Sequence, residues 1–209
     1  MTMSNNENEK LKLYTQICAD TYGEDLSHNK NSLDSSWSKV FFVVNGVVTE
    51  KLYYGDDNKN GFDAAIYYNE TTNEVIIGIR GTEALANDGD LLESAKILQQ
   101  IQTLKESNEL DVFHEIVQNT LRSINFTGKY KVVGQSLGGA LATIYTNKFG
   151  SFVDETITIN PIGAEYVSTD QNYSASNKVT NYIVMNDIFS IYCYEKQVGT
   201  IKLVFPVSP

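Results

Sequence analysis

The stretch KYKVVGQSLGGALATIY, residues 129–145, decides how the rest of the chain is interpreted. A short apolar run with strand character leads into Ser136, and a run with strong helix propensity follows it. A strand that turns sharply into a helix exposes the serine hydroxyl at the turn, and Gly134 and Gly138 leave room for the close backbone approach that this requires. The pattern therefore predicts that Ser136 is a nucleophile held in a strained strand-to-helix turn.

Outward from this turn, the hydrophobic periodicity predicts strands that alternate with helices. Such alternation is typical of an α/β sheet whose central strands run parallel. The segments NETTN and residues 191–205 predict two hairpins, the second turning at Gly199. Helices are expected at 9–22, 88–104, 110–124 and 138–149, and strands at 39–44, 64–68, 74–80, 130–133, 155–160 and 181–186.

Length and composition are those of one globular unit. A chain of 209 residues, 42% of them hydrophobic, is long enough to bury a sizeable core. It contains no internal repeat or Pro-rich linker, so we expect a single domain over residues 1–209.

The charge balance disfavours nucleic acid as a partner. With 16 Lys+Arg against 26 Asp+Glu, the net charge of −10 repels phosphate backbones, so nucleic acid is not an expected partner.

No apolar run approaches the roughly 20 residues that span a bilayer. The N-terminus shows no classical signal peptide, so we expect a soluble protein, either cytoplasmic or exported by a route independent of a signal peptide.

Acyl transfer at a serine also needs hydrogen-bond donors for the developing oxyanion. The backbone N–H of Leu137 directly follows the candidate nucleophile at the start of the helix, where it would point at that charge. A second donor is expected from another strand end. The segment VIIGIRGTE, residues 75–83, supplies the best candidate in Thr82, which follows Gly81.

Three motifs in this order resemble those of the class 3 lipases and their bacterial phospholipase A1-like relatives. They are RGTE at 80–83, GQSLGGA at 134–140 and TINPIGA at 158–164. The resemblance covers roughly residues 60–190. The family usually has a histidine where this chain has Gln135, but that histidine is not the catalytic base.

The resemblance implies an α/β-hydrolase fold, with a mostly parallel central sheet flanked by helices, and hydrolysis of lipid esters without a metal or other cofactor. It implies that Thr82 and Leu137 form the oxyanion hole. It also places a lid helix at residues 83–92, although EALANDGDLL is less apolar than a strong interfacial lid. Lipid or other ester substrates and transient contact with a lipid interface are the expected partners.

An acidic residue should follow the next strands, because the α/β-hydrolase order is serine, then Asp or Glu, then histidine. Asp187 closes the apolar run 182–185 and so lies at the carboxyl end of a predicted parallel strand, where sites form in such sheets. In relatives this Asp is often followed by proline, whereas Ile188 follows it here.

The catalytic base is the difficulty of this sequence, because the chain has only two histidines, His28 and His114, and both precede Ser136. Three interpretations follow, in order of preference. The first is a lipase or phospholipase whose histidine lies in a C-terminal part beyond residue 209. The second is a serine esterase with a non-standard base such as His114. The third is a non-catalytic hydrolase-like module that binds a lipid or a protein.

Overall fold

A computed structural model describes residues 4–21, 33–44, 47–49, 64–81, 109–163, 174–184 and 197–205. Three α-helices, one short 3-10 helix at Ser176–Lys178 and eight strands lie within these ranges. The helices are α1 Asn5–Thr21, α2 Glu109–Ser123 and α3 Leu137–Phe149, and the strands are β1 Trp37–Val44, β2 Val47–Thr49, β3 Ala64–Asn69, β4 Glu74–Ile79, β5 Tyr130–Gln135, β6 Val153–Ile159, β7 Val179–Val184 and β8 Thr200–Val204.

All eight strands form one sheet in the order β2-β1-β3-β4-β5-β6-β7-β8. The pairs from β2 to β4 are antiparallel, and the pairs from β4 to β8 are parallel. The predicted fold class is therefore confirmed, as is the hairpin between β3 and β4. The predicted helix 88–104 lies outside the described residues.

The two faces of the sheet pack against different helices, because successive strand residues point to opposite sides. In β4, Ile77 packs into the core cluster that α2 and α3 cover, whereas Ile76 packs into the cluster that α1 covers. In β5, Val132 and Val133 divide in the same way. Each buried aliphatic side chain of this size contributes about 1.5–3 kcal/mol through removal from water.

Helix α1 begins at a capping box and covers one face of the sheet. The backbone N–H of Glu7 donates to Ser4 Oγ at 3.3 Å, and the N–H of Ser4 donates back to Glu7 Oε2 at 3.3 Å. At its other end, Asp20 accepts a hydrogen bond of 2.7 Å from the Tyr67 hydroxyl and pairs with Lys39. No helix in the described part of the chain is long and apolar enough to cross a membrane.

Of the predicted C-terminal hairpin, the structure describes the second arm, strand β8. Strand β8 pairs with β7, and the pairing is parallel. Gly199 does turn the chain, with φ 99°, but it packs against the start of β7, where a Cβ would lie 2.5 Å from the Val179 carbonyl oxygen. The Asn181 side chain fixes this arrangement by donating to the Val198 carbonyl at 2.8 Å. The other predicted arm, residues 191–196, lies outside the described residues.

Candidate active site

Ser136 occupies a one-residue turn between β5 and α3, as the sequence predicted. Its backbone angles are φ 54° and ψ −123°, outside the regions that L-residues usually adopt. Holding a non-glycine residue there costs on the order of 1–3 kcal/mol. The surrounding structure must therefore impose this conformation.

Hydrogen bonds to the N–H and to the carbonyl of Ser136 impose this conformation. The Ser136 N–H donates to the Ile159 carbonyl at 3.1 Å, which ties the turn to the end of β6. The Ser136 carbonyl accepts from the N–H of Gly139 at 3.1 Å, in the first turn of α3, and from the N–H of Ile162 at 3.0 Å. Neighbouring segments thus fix the backbone of Ser136, and the residue stays partly accessible to solvent.

The glycines around Ser136 permit three separate close contacts. A Cβ on Gly134 would lie 2.2 Å from the Gly138 carbonyl oxygen, so this glycine lets the strand and the helix meet. A Cβ on Gly138 would lie 2.2 Å from the Ile79 carbonyl oxygen, so this one lets the helix approach β4. The sequence predicted both requirements. It did not reveal the third, at Gly139, where a Cβ would lie 2.7 Å from Cβ of Pro161.

The contact at Gly138 places the candidate oxyanion loop beside the serine turn. The position that a Cβ on Gly138 would take lies 2.9 Å from the backbone nitrogen of Gly81. Thr82 is the next residue and lies outside the described residues. The other proposed donor, the N–H of Leu137, belongs to the first residue of α3, where helix geometry provides no intrahelical acceptor.

The parallel strands bring four chain segments to one edge of the sheet. At this edge β4 ends before Gly81, β5 before Ser136, β6 before Asn160 and β7 at Val184. Two strand spacings, about 10 Å, separate the ends of β5 and β7. Asp187 follows Val184 by three residues (187 − 184) and lies outside the described residues, as do His28 and the predicted lid at 83–92.

His114 is not placed to act on Ser136, so its role as a non-standard base is contradicted by the geometry. Its Nδ1 lies 2.8 Å from the Tyr145 hydroxyl, and its ring stacks on Phe149 at a centroid distance of 3.9 Å. Tyr145 is nine residues beyond Ser136 (145 − 136) along α3, a rise of roughly 13 Å. The Tyr145 hydroxyl also bonds that of Tyr130 at 2.8 Å, so the imidazole belongs to a packed aromatic cluster.

This packing makes His114 a pH-dependent element of stability. Burial lowers the pKa of the imidazole, and the nearby Asp111 carboxylate opposes the shift only in part. Below the ordinary pKa of about 6.5 the unfolded chain therefore binds this proton more readily than the folded chain, so stability is lost as the pH falls. We expect urea midpoints to drop more between pH 7 and pH 5 in the wild type than in His114→Gln. Equal drops would show that this histidine does not couple folding to pH.

The described residues contain no group of three or more His, Cys, Asp or Glu side chains that could hold a metal ion. The buried thiol of Cys18 lies in the core on the α1 face of the sheet, and burial raises its pKa to about 12. It is therefore neither a ready ligand nor a ready nucleophile at neutral pH.

Comparison with known proteins supports the fold rather than a family. No protein-family model matches the chain, and no curated protein matches it in sequence. Among solved structures, it is similar to the Rhizomucor miehei lipase in its propeptide complex, with 13% identity, a TM-score of 0.54 and coverage of 91% of this chain and 64% of that one. A triacylglycerol lipase from Penicillium expansum gives 12% identity and a TM-score of 0.56, covering 98% of this chain and 81% of that one.

A further fungal lipase structure is similar over the whole of this chain and 83% of its own, with 14% identity and a TM-score of 0.56. The chain thus spans about two thirds of the length of the Rhizomucor miehei lipase, and more of the other two. Similarity at such low identity establishes architecture alone. Together with the sheet order and the helices on both faces, it shows that this chain has an α/β-hydrolase fold of the kind found in lipases.

Proposed function

We propose that this protein is a serine carboxylic-ester hydrolase acting on lipid esters, of the class 3 lipase or phospholipase A1 type. The observation that carries the proposal is the backbone of Ser136, which is held at φ 54° at the start of a buried helix. Backbone strain of this kind clusters at functional sites, where the surrounding structure stabilises it. Presenting a hydroxyl above the ends of parallel strands is the use that fits this turn.

In the proposed reaction, Ser136 Oγ attacks the ester carbonyl and transfers its proton to a base, which passes it to the departing alcohol. Water then attacks the acyl-enzyme and loses a proton to the same base, which returns it to Ser136 Oγ as the bond to the acyl group breaks and the fatty acid leaves. The N–H groups of Thr82 and Leu137 stabilise the oxyanion of each tetrahedral intermediate, and each donor is worth on the order of 3 kcal/mol. The packing of Gly81 against Gly138 supports this pairing.

Asp187 is the proposed acid, and it orients the base and stabilises its charged form. Its place in the sequence supports this role, because it follows the end of β7 on the edge that carries Ser136. The base must be an imidazole other than that of His114, whose ring is engaged by Tyr145 and Phe149. The first of the three interpretations, a histidine beyond residue 209, is the one we propose.

A non-catalytic lipid-binding or protein-binding module is the second candidate. One specific observation favours it, namely that the single histidine within the described ranges is bonded away from Ser136. Such a module would have no use for a base. Experiments in which an imidazole is supplied separate the two candidates.

The test measures the hydrolysis of 4-nitrophenyl butyrate by residues 1–209, alone and with added imidazole, and by any longer natural chain that brings a downstream histidine. We expect the 1–209 form to be slower than the longer chain by orders of magnitude, because without a base only oxyanion stabilisation and binding remain. Mass spectrometry after treatment with a fluorophosphonate should place the adduct on Ser136. Dispersed triacylglycerol and phosphatidylcholine then identify the preferred lipid class.

Two results would reject the hydrolase in favour of a binding module. One is the absence of an adduct on Ser136 in every form of the chain. The other is ester hydrolysis that stays at the rate of buffer containing the same imidazole concentration.

A further inference from the structure

Asn160 lies directly after β6 and adopts a left-handed backbone, with φ 43°. In a regular parallel pair, a residue donates its N–H to one residue of the next strand and accepts through its carbonyl from the residue two positions further on. The Asn160 N–H follows this rule and donates to the Tyr182 carbonyl at 2.9 Å. The matching donor on β7 is the N–H of Val184.

That donor bonds to the side chain of Asn160 instead of to its backbone. The N–H of Val184 lies 2.8 Å from Asn160 Oδ1. A side-chain oxygen thus replaces the backbone carbonyl and extends the ladder by one step, while the positive φ turns the main chain away from β7. Asn and Asp combine tolerance of this conformation with a side-chain oxygen that can mimic a backbone acceptor.

The turned main chain runs directly to the serine turn. Pro161 packs on Gly139, where a Cβ would lie 2.7 Å from the proline ring. The N–H of Ile162 donates to the Ser136 carbonyl at 3.0 Å. The Pro161 carbonyl accepts a hydrogen bond from Gln197 Nε2 at 2.9 Å, which ties the segment before β8 to residues 160–162. Residues 160–162 therefore connect the turn of Ser136 with the end of β7.

We propose that Asn160 is a positioning residue of this site, whose side chain fixes the end of β7 relative to the backbone of Ser136. The proposal rests on the proposed hydrolase function. Asn160 acts through the backbone of Val184 and has no direct part in the chemistry. Displacing an orienting group by about 1 Å can reduce turnover on the order of 100-fold, so one hydrogen bond at this position has a large effect on catalysis.

Two substitutions isolate the bond between Val184 N–H and Asn160 Oδ1. Asn160→Gly adopts the same backbone conformation but removes the side-chain oxygen, whereas Asn160→Asp keeps both the conformation and an oxygen acceptor. The matched control is Asn73→Gly. Asn73 also has a positive φ, 50°, and its Oδ1 accepts a bond of 3.1 Å from the Tyr68 hydroxyl. It precedes β4 and so lies at the opposite edge of the sheet from Ser136.

The experiment compares kcat and KM for 4-nitrophenyl butyrate in the form of the protein whose hydrolysis depends on Ser136, at a temperature where every variant is folded by circular dichroism. We expect Asn160→Gly to lower kcat about 10–100-fold with KM unchanged. Asn160→Asp should keep at least half of the wild-type kcat, and Asn73→Gly should match the wild type. If Asn160→Gly does not fold, Asn160→Ser, whose side chain is shorter, replaces it with the same expectation.

Equal losses in Asn160→Gly and Asn73→Gly, a change in KM alone, or no rescue by Asn160→Asp would overturn the positioning role while leaving the hydrolase intact. Hydrolysis by the wild type that does not depend on Ser136 would instead reject the proposed function, and the role of Asn160 in it as well.

Discussion

Replacing Ser136 with alanine should reduce ester hydrolysis to background, a loss of at least 1,000-fold and on the order of 10⁶-fold in a fully assembled site. Alanine has no oxygen to form the acyl-enzyme, and no neighbouring group can substitute for a covalent nucleophile. The measurement is the steady-state hydrolysis of 4-nitrophenyl butyrate, with fluorophosphonate labelling followed by mass spectrometry. The adduct should disappear together with the activity.

The same position provides its own control for folding. Alanine keeps the strained φ of 54°, so Ser136→Ala should unfold within about 1 kcal/mol of the wild type. Ser136→Gly should be equally inactive but more stable by roughly 1 kcal/mol, because glycine adopts this conformation without a steric penalty. Ser151→Ala, in an exposed turn, should change neither property. Substantial hydrolysis by Ser136→Ala would remove the nucleophile from the proposal.

Gly138→Ala should strongly destabilise the fold, because the added methyl group collides with backbone. The added Cβ would lie 2.2 Å from the Ile79 carbonyl oxygen and 2.8 Å from the Arg80 carbonyl carbon. Neither atom can move freely, because β4 is hydrogen-bonded to β3 on one side and β5 on the other. We expect a loss of about 3 kcal/mol or more in urea unfolding, beyond the usual range for overpacking. The higher helix propensity of alanine returns at most about 1 kcal/mol.

A matched substitution separates this collision from a general effect of replacing glycine. In Gly128→Ala the new Cβ meets the far end of the Phe126 ring, at 2.9 Å, rather than backbone. A side chain can rotate away, so that variant should lose about 1 kcal/mol or less. If both variants lose the same stability, the tight approach of α3 to β4 is not the reason for a glycine at position 138.

Gly138→Ala should also reduce activity in the fraction that remains folded. The substitution would push the first turn of α3 away from Gly81, and with it the N–H of Leu137 from the loop that carries Thr82. Since two convergent donors stabilise the oxyanion only when they share one point, turnover should fall by a further 10²–10³-fold, the cost of about one donor. The ratio of kcat to folded fraction measures this loss.

Local features of the sequence predicted the strand-to-helix turn and the glycines around it. Residues 130–149 contain the apolar strand, the turn residues and the helix-forming run within one contiguous segment, so the position of the turn can be predicted from local sequence. The same holds for the β3–β4 hairpin, whose turn residues and two strands are adjacent in sequence. Asp187 and Thr82 were also chosen from strand ends, and they stay predictions because both lie outside the described residues.

Contacts between distant segments decided the rest. Strand β8 pairs in parallel with β7, and the bond from Asn181 to Val198 that fixes it has no local signature. The hairpin predicted for residues 191–205 stays a prediction, because its first arm lies outside the described residues. The sequence leaves His114 open as a base, because its partner Tyr145 lies 31 residues along the chain (145 − 114). The Asn160-Pro161 pair could have indicated a turn, but not that the Asn160 side chain completes a ladder with Val184. The sequence by itself determined that Ser136 lies in a strand-to-helix turn, because the strand, the glycines and the helix-forming run are contiguous. Only the tertiary structure decided what holds its strained backbone, because strand pairing brings Ile159 and Ile162 to a residue that the sequence keeps far from them.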